Sequence, residues 1–169
     1  KTSTLLNSKI IVAKQSSKET MDYIKKSISQ NLSDKIIFKD NYSYSVKEND
    51  FFYYEDKFGR LKLPMPNVLG EFQLENISTA ITTLRTLDLG IKDKHIQSGI
   101  VKINSLARLQ EVKSGKLKKL VKNNKLLVDG SHNENGSQAL NKYLQSLECN
   151  KHVIIGMMAN KEHEKYISY

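Results

Sequence analysis

The apolar run Leu126-Leu127-Val128 stops at Asp129-Gly130-Ser131-His132-Asn133, and a helical pattern opens a few residues later. A strand that ends in an Asp-Gly turn and leads into a helix restricts the chain to a small set of α/β arrangements. Such folds place ligand-binding groups at the carboxyl end of the strand. Beyond the turn, Leu140, Tyr143, Leu144 and Leu147 recur at helical spacing from Ser137 onward, and Lys151 to Met158 reads as a further strand with Gly156 at its end. The second half is therefore expected to be β-turn-α-β, the opening of a doubly wound parallel sheet. Two parallel strands cannot bury both faces of such a sheet, so partner segments beyond this chain are expected.

The stretch before the turn divides by periodicity. Ser8 to Ala13 is an apolar strand candidate. Ser16 and Ser17 then offer N-caps, Glu19 completes a capping box, and Met21, Ile24 and Ile28 predict a buried helical face. Lys35 to Lys39 supplies the next strand. Tyr42, Tyr44 and Val46 alternate with Ser43, Ser45 and Lys47, and Asp56-Lys57-Phe58-Gly59 closes a hairpin between Phe51–Tyr54 and Arg60–Leu63. The aromatics there read as hairpin packing rather than a base-stacking platform, since no basic RNP-type motif surrounds them. Pro64 and Pro66 break the regular structure. Leu74, Ile77, Ala80, Ile81 and Leu84 form a helical stripe, with Asn76 off it near the helix start. A second helix from Asp93 to Ile103 carries Ile96, Ile100 and Val101, and Asn104-Ser105 reads as a hinge. Leu106–Val112 and Leu117–Val121 read as a strand pair around Ser114-Gly115.

The net charge of +9 invites a nucleic-acid reading, but only Arg60, Arg85 and Arg108 are arginines. Base-edge and phosphate-fork recognition favours Arg over Lys. The densest basic run, Lys113 to Lys119, fits a solvated hairpin tip, so no specific nucleic-acid partner is expected. No apolar stretch approaches the length of a membrane span, and the polar first residues form no signal peptide. One cysteine, Cys149, excludes an internal disulfide framework and suits a reducing cytoplasm.

Four segments occur in one order: Leu69-Gly70-Glu71-Phe72-Gln73-Leu74-Glu75-Asn76, Ala107-Arg108-Leu109-Gln110, Asp129-Gly130-Ser131-His132-Asn133 and Ile155-Gly156-Met157-Met158-Ala159-Asn160-Lys161. Together they resemble the second half of folylpolyglutamate synthase/dihydrofolate synthase, a member of the Mur ligase superfamily. Ile10 to Gln15 also resembles the strand after that family's catalytic-lysine segment. The resemblance implies an α/β fold: the end of a P-loop-type Mur ligase central domain over residues 1–104, then the start of a Rossmann-like C-terminal domain over 105–169. It implies an ATP- and Mg²⁺-dependent ligase that joins L-glutamate to folate or dihydropteroate through an acyl phosphate. Such chemistry rests on positioning and electrostatic stabilisation of the transferring phosphoryl group.

By the same resemblance, Asn76 contacts adenine, Arg108 the ATP phosphates, and Asp129 the ribose hydroxyls. His132 is a ligand-facing imidazole, and Lys161 meets an anionic substrate group. Read from the residues alone, Asn76 reads first as a helix cap, Arg108 as a surface arginine or one placed beyond a hinge to close on ligand, Asp129 as a turn former and Lys161 equally as a solvated lysine. His95, His152 and His163 form no zinc-type spacing with His132. The chain departs from the family pattern at Ala107, usually Gly, at Ser131, usually Ala, at Glu134, usually Pro, and at Asn160 and Glu162, usually Asp. Gln73 and Gly156-Met157-Met158 favour the folate branch over the peptidoglycan ligases. The sequence holds no G-x-x-x-x-G-K-[ST] phosphate loop. The resemblance implies that the metal ligands and any catalytic residue lie upstream of Lys1, and this stretch alone is expected to be inactive. It would be monomeric within a longer chain, or pair with an N-terminal half. The competing readings are a non-catalytic, nucleotide-binding remnant and a lysine-rich nucleic-acid binder.

Overall fold

The computed structural model describes residues 9–15, 17–27, 36–48, 50–87 and 89–169. The chain divides into two compact units, Lys1–Pro66 with Leu74–Lys102, and Asn67–Gln73 with Ile103–Tyr169. The fold is mixed α/β.

In the first unit, β1 (Ile10–Val12) and β2 (Ile36–Phe38) pair in parallel, with α1 (Lys18–Ser27) between them in sequence. A parallel pair needs such a crossover, because a tight turn cannot return the chain in the same direction. Ser17 Oγ accepts from the Thr20 N–H, the predicted cap. The predicted buried face of α1 is only half-buried at Met21 and Ile24, and Ser16, Ile28 and Lys35 lie outside the described residues.

The antiparallel sheet β3 (Tyr42–Glu48), β4 (Phe51–Asp56) and β5 (Gly59–Pro64) forms as the alternation predicts. Lys57 and Phe58 make the turn, with Gly59 at φ +106°, a conformation that costs other residues strain. One face carries Tyr42, Phe52, Tyr54, Leu61 and Leu63, all buried. Against it lies α2 (Glu71–Thr86), with Tyr42 Oη 2.9 Å from Thr79 Oγ1 and Tyr54 Oη 2.7 Å from Thr82 Oγ1.

The helix departs from its apolar stripe. Leu74, Ile77 and Ile81 are buried as expected, but Ala80 is exposed and Leu84 half-buried. Ser78 and Thr82 take the inner positions, where threonine hydroxyls are satisfied by the carbonyl four residues back, as Thr82 is by Ser78 at 2.8 Å. The next helix, α3 (Asp93–Ile100), buries Ile96 and Ile100 and ends earlier than expected, leaving Val101 exposed.

Burial in this core raises the Tyr54 phenol far above its ordinary value of 10.0, and the neighbouring Asp56 carboxylate adds to the rise. Burial raises Tyr42 as well. A phenol whose folded value is raised contributes stability that is complete below the unfolded value and is lost as pH climbs above it. Stability should therefore be flat up to about pH 10 and fall beyond it. Urea unfolding across pH 8 to 12 checks this, and Tyr54→Phe should flatten the decline.

The second unit holds β6 (Gln110–Glu111), α4 (Lys116–Leu120), β7 (Leu127–Val128), α5 (Glu134–Gln145) and α6 (His163–Ile167). Two expectations fail here. Leu117–Val121 is not a strand: Lys116–Leu120 is a helical turn of good helix formers, and Lys118 Nζ donates to the Lys122 and Asn124 carbonyls beyond its end. Its partner shrinks to Gln110–Glu111, because Ala107 and Leu109 have φ of 51° and 49°, which no strand accommodates. Lys151–Met158 is likewise irregular rather than a second parallel strand. Among the described residues β7 pairs only with β6, and antiparallel. Among the described residues the Lys151–Met158 segment pairs with no strand, and Ile154 is 99% exposed.

Candidate functional site

The β6–β7 ladder pairs Gln110 with Val128 and Glu111 with Leu127. That register sets the Ala107–Leu109 loop beside Asp129 and Gly130. Asp129 Oδ2 accepts from the Leu109 N–H and Oδ1 from the Ser131 N–H, both at 2.8 Å. The second bond is an Asx turn, the local geometry for which aspartate is favoured. The Gly130 N–H donates to the Ala107 carbonyl at 2.7 Å, and Gln110 Oε1 accepts from the Ala107 N–H at 3.0 Å.

Asp129 therefore ties two loops together with both carboxylate oxygens. Each oxygen keeps a further lone pair for a hydroxyl donor. Arg108 stands exposed between the two left-handed residues. Leu109 is 1% exposed, so apolar burial offsets a backbone strain on the order of 1–3 kcal/mol. Ala107 has no such compensation. Ala107→Gly should raise stability by about 0.5–1 kcal/mol, the relieved left-handed strain exceeding the added chain entropy. A urea midpoint that falls would refute this.

The turn continues into α5 through Asn133, whose Oδ1 accepts from the Gly136 N–H at 2.9 Å. Gly136 has no room for a side chain, since a Cβ there would sit 2.5 Å from Ser131 Cβ. His132 is exposed, with Nδ1 3.0 Å from the Gly130 carbonyl oxygen. A carbonyl only accepts, so Nδ1 is the donor in this contact. Behind the turn, Tyr166 of α6 is buried. Its hydroxyl lies 2.7 Å from Ser131 Oγ, and its carbonyl accepts from Ser137 Oγ.

Arg108, Asp129, His132 and Lys161 all belong to the second unit, and Asn76 to the first. Asn76 is exposed in the second turn of α2, so it is not the cap its neutral reading allows. Asparagine is a mediocre helix former at such a place. Lys161 is half-buried and follows a turn in which its N–H donates to the Met158 carbonyl, not a strand end. Ser131 and Asn133 stand in the sequence motif without a role of their own, and Tyr166 stands outside every motif, although Asn133 with glycine three residues on is a readable capping signal.

No protein-family profile matches the chain, and no curated protein sequence does. Solved structures do. E. coli FolC in complex with DHPP and ADP matches with a TM-score of 0.68 at 24% identity, over 85% of this chain and 33% of that one. A bifunctional folylpolyglutamate synthase/dihydrofolate synthase with Mn, AMPPNP and L-glutamate bound matches at 0.66 and 21% identity, over 85% and 33%. The fold is that of folylpolyglutamate synthase. E. coli FolC with ADP and no folate substrate agrees, with a TM-score of 0.65 at 25% identity over 79% and 30% of the two chains. The chain thus spans about a third of the length of these folylpolyglutamate synthase structures.

Proposed function

We propose that this chain is the nucleotide-binding portion of an ATP-dependent ligase of the Mur type, which adds L-glutamate to folate or dihydropteroate in the cytoplasm. The supporting observation is its likeness in fold to FolC structures that hold ADP, AMPPNP, DHPP or L-glutamate. In this reading a substrate carboxylate oxygen attacks the γ-phosphorus of ATP and ADP leaves. The glutamate amine then attacks the acyl carbon, loses a proton, and expels phosphate to leave an amide.

The chain's own residues bind and orient. Arg108 offers a forked, permanently charged donor to phosphate oxygens. Asp129 accepts from the ribose hydroxyls with its spare lone pairs, and His132 Nε2 faces the nucleotide. The Asn76 amide, both donor and acceptor, reads an adenine edge. Lys161 meets an anionic substrate group. None of them takes a covalent role. Among the described residues no three His, Cys, Asp or Glu side chains converge on one point, and this reading assigns no metal ligand to the chain.

The test titrates the 169-residue chain with a fluorescent ATP analogue and with duplex DNA at about 50 and 200 mM salt. Saturable ATP binding, with DNA binding that collapses by orders of magnitude at higher salt, is the expected result. Absent ATP binding together with salt-resistant DNA binding would overturn the reading. In a ligation assay with ATP, Mg²⁺, L-glutamate and tetrahydrofolate, the chain alone should give no turnover. Product above background would refute that part.

A further inference from the structure

We infer that Asp129 is the positioning residue for Arg108: its carboxylate shapes the loop that presents the guanidinium. The inference rests on the nucleotide reading for its ligand and adds a second task to Asp129. Three backbone attachments hold the Ala107–Leu109 loop: Gln110 Oε1 on the Ala107 N–H, the Gly130 N–H on the Ala107 carbonyl, and Asp129 Oδ2 on the Leu109 N–H. Asp129 supplies the only one of the three in which the acceptor is charged, the stronger class of hydrogen bond.

The loop needs that help. Arg108 sits between Ala107 at φ 51° and Leu109 at φ 49°, conformations that non-glycine residues leave when nothing holds them. Without an acceptor for its N–H, Leu109 can relax toward extended backbone and Arg108 turns away with it. The buried Leu109 side chain anchors one flank, but it carries no information about where the arginine points. Asp129 links that anchor to the Asp129–Ser131 turn, because its other oxygen holds the Ser131 N–H. Arginine recognition of phosphate depends on orientation as much as on charge, since the guanidinium fork is planar. A ribose ligand and a loop brace are separate tasks, and they leave different signatures.

The experiment measures binding of ATP and of adenosine to the wild type, Arg108→Ala, Asp129→Ala and the double variant. Adenosine keeps the base and ribose and lacks every phosphate. Arg108→Ala should weaken ATP by about 10- to 100-fold, the worth of hydrogen bonds to a charged group, and leave adenosine unchanged. Asp129→Ala should weaken ATP at least about fivefold more than adenosine, and that excess should vanish when residue 108 is already alanine. Equal loss for both ligands in both backgrounds would overturn the inference and leave a ribose contact alone. Asp129→Asn, which keeps the size and one acceptor oxygen, runs through the same cycle and should show the same pattern at smaller amplitude.

If the wild type binds neither ligand, the nucleotide reading fails, and amide exchange decides the brace separately. The Leu109 amide should then exchange about tenfold or more faster in Asp129→Ala, while amides of the β3–β5 sheet keep their rates. An unchanged Leu109 rate would overturn the inference.

Discussion

Phe52→Ala is expected to destabilise the first unit by about 3–5 kcal/mol, the cost of deleting a large buried side chain and leaving a cavity behind. Phe52 is 0% exposed and points into the sheet face that also carries Tyr54, Leu61 and Leu63. A domain of this size has only about 5–15 kcal/mol in total, so most of its margin is removed. The thermal midpoint should fall by roughly 15 °C or more. Phe58→Ala is the control, because Phe58 occupies the hairpin turn and is 54% exposed. That change should stay within about 0.5 kcal/mol. Circular-dichroism melts of the two variants decide the point, and similar shifts would show that the core does not lie on this face.

The hairpin was readable because its pattern is local: alternation on both strands and a turn glycine two residues past Lys57. The α2 stripe was readable only in part. Ser78 and Thr82 look like solvent-facing residues in a sequence, yet both are buried. What buries Thr82 is a pair of hydrogen bonds, one of them to a tyrosine 28 residues away, and no helical period encodes that. The misreading at Lys151–Met158 has a different cause. Its residues favour a strand, but a strand exists only with a hydrogen-bonding neighbour, which the segment's own sequence cannot specify.

The site divides in the same way. The turn at Asp129 announces itself by composition, and Asn133 follows from capping rules. The reach of Asp129 back to the Leu109 N–H, 20 residues earlier, does not. One clue was present: glycine usually precedes the arginine in the resembling family, and here Ala107 adopts the left-handed backbone that glycine accommodates freely. The departure from the pattern thus marks a strained position, and strain of that kind gathers at functional loops.

Asp56→Ala is expected to cost about 3 kcal/mol, the low end of the range for breaking a buried ion pair. The reason lies with Arg85 rather than with the tyrosine. Arg85 Nε donates to Asp56 Oδ2 at 3.0 Å, with side chains only 11% and 4% exposed. Its other carboxylate, Asp93 at 3.3 Å, is 61% exposed and worth little. Losing Asp56 therefore leaves a mostly buried cation with one solvated partner. Tyr54 fares better. Its hydroxyl lies 3.0 Å from Asp56 and 2.7 Å from Thr82, whose own hydroxyl lies 2.8 Å from the Ser78 carbonyl. Two hydroxyl hydrogens cannot serve all three contacts at once. With Asp56 gone, Tyr54 donates to Thr82 and Thr82 to Ser78, so both hydroxyls remain satisfied. Tyr54→Phe should accordingly cost only about 1 kcal/mol. Asp93→Ala should cost less than about 1 kcal/mol. The further variant Asp56→Ala with Arg85→Met should recover much of the loss, since it removes the stranded charge and keeps an unbranched stem in its place. Urea unfolding of the four variants measures these differences. If Asp56→Ala costs no more than Asp93→Ala, the Arg85 pair is not what holds the end of α2 to the sheet.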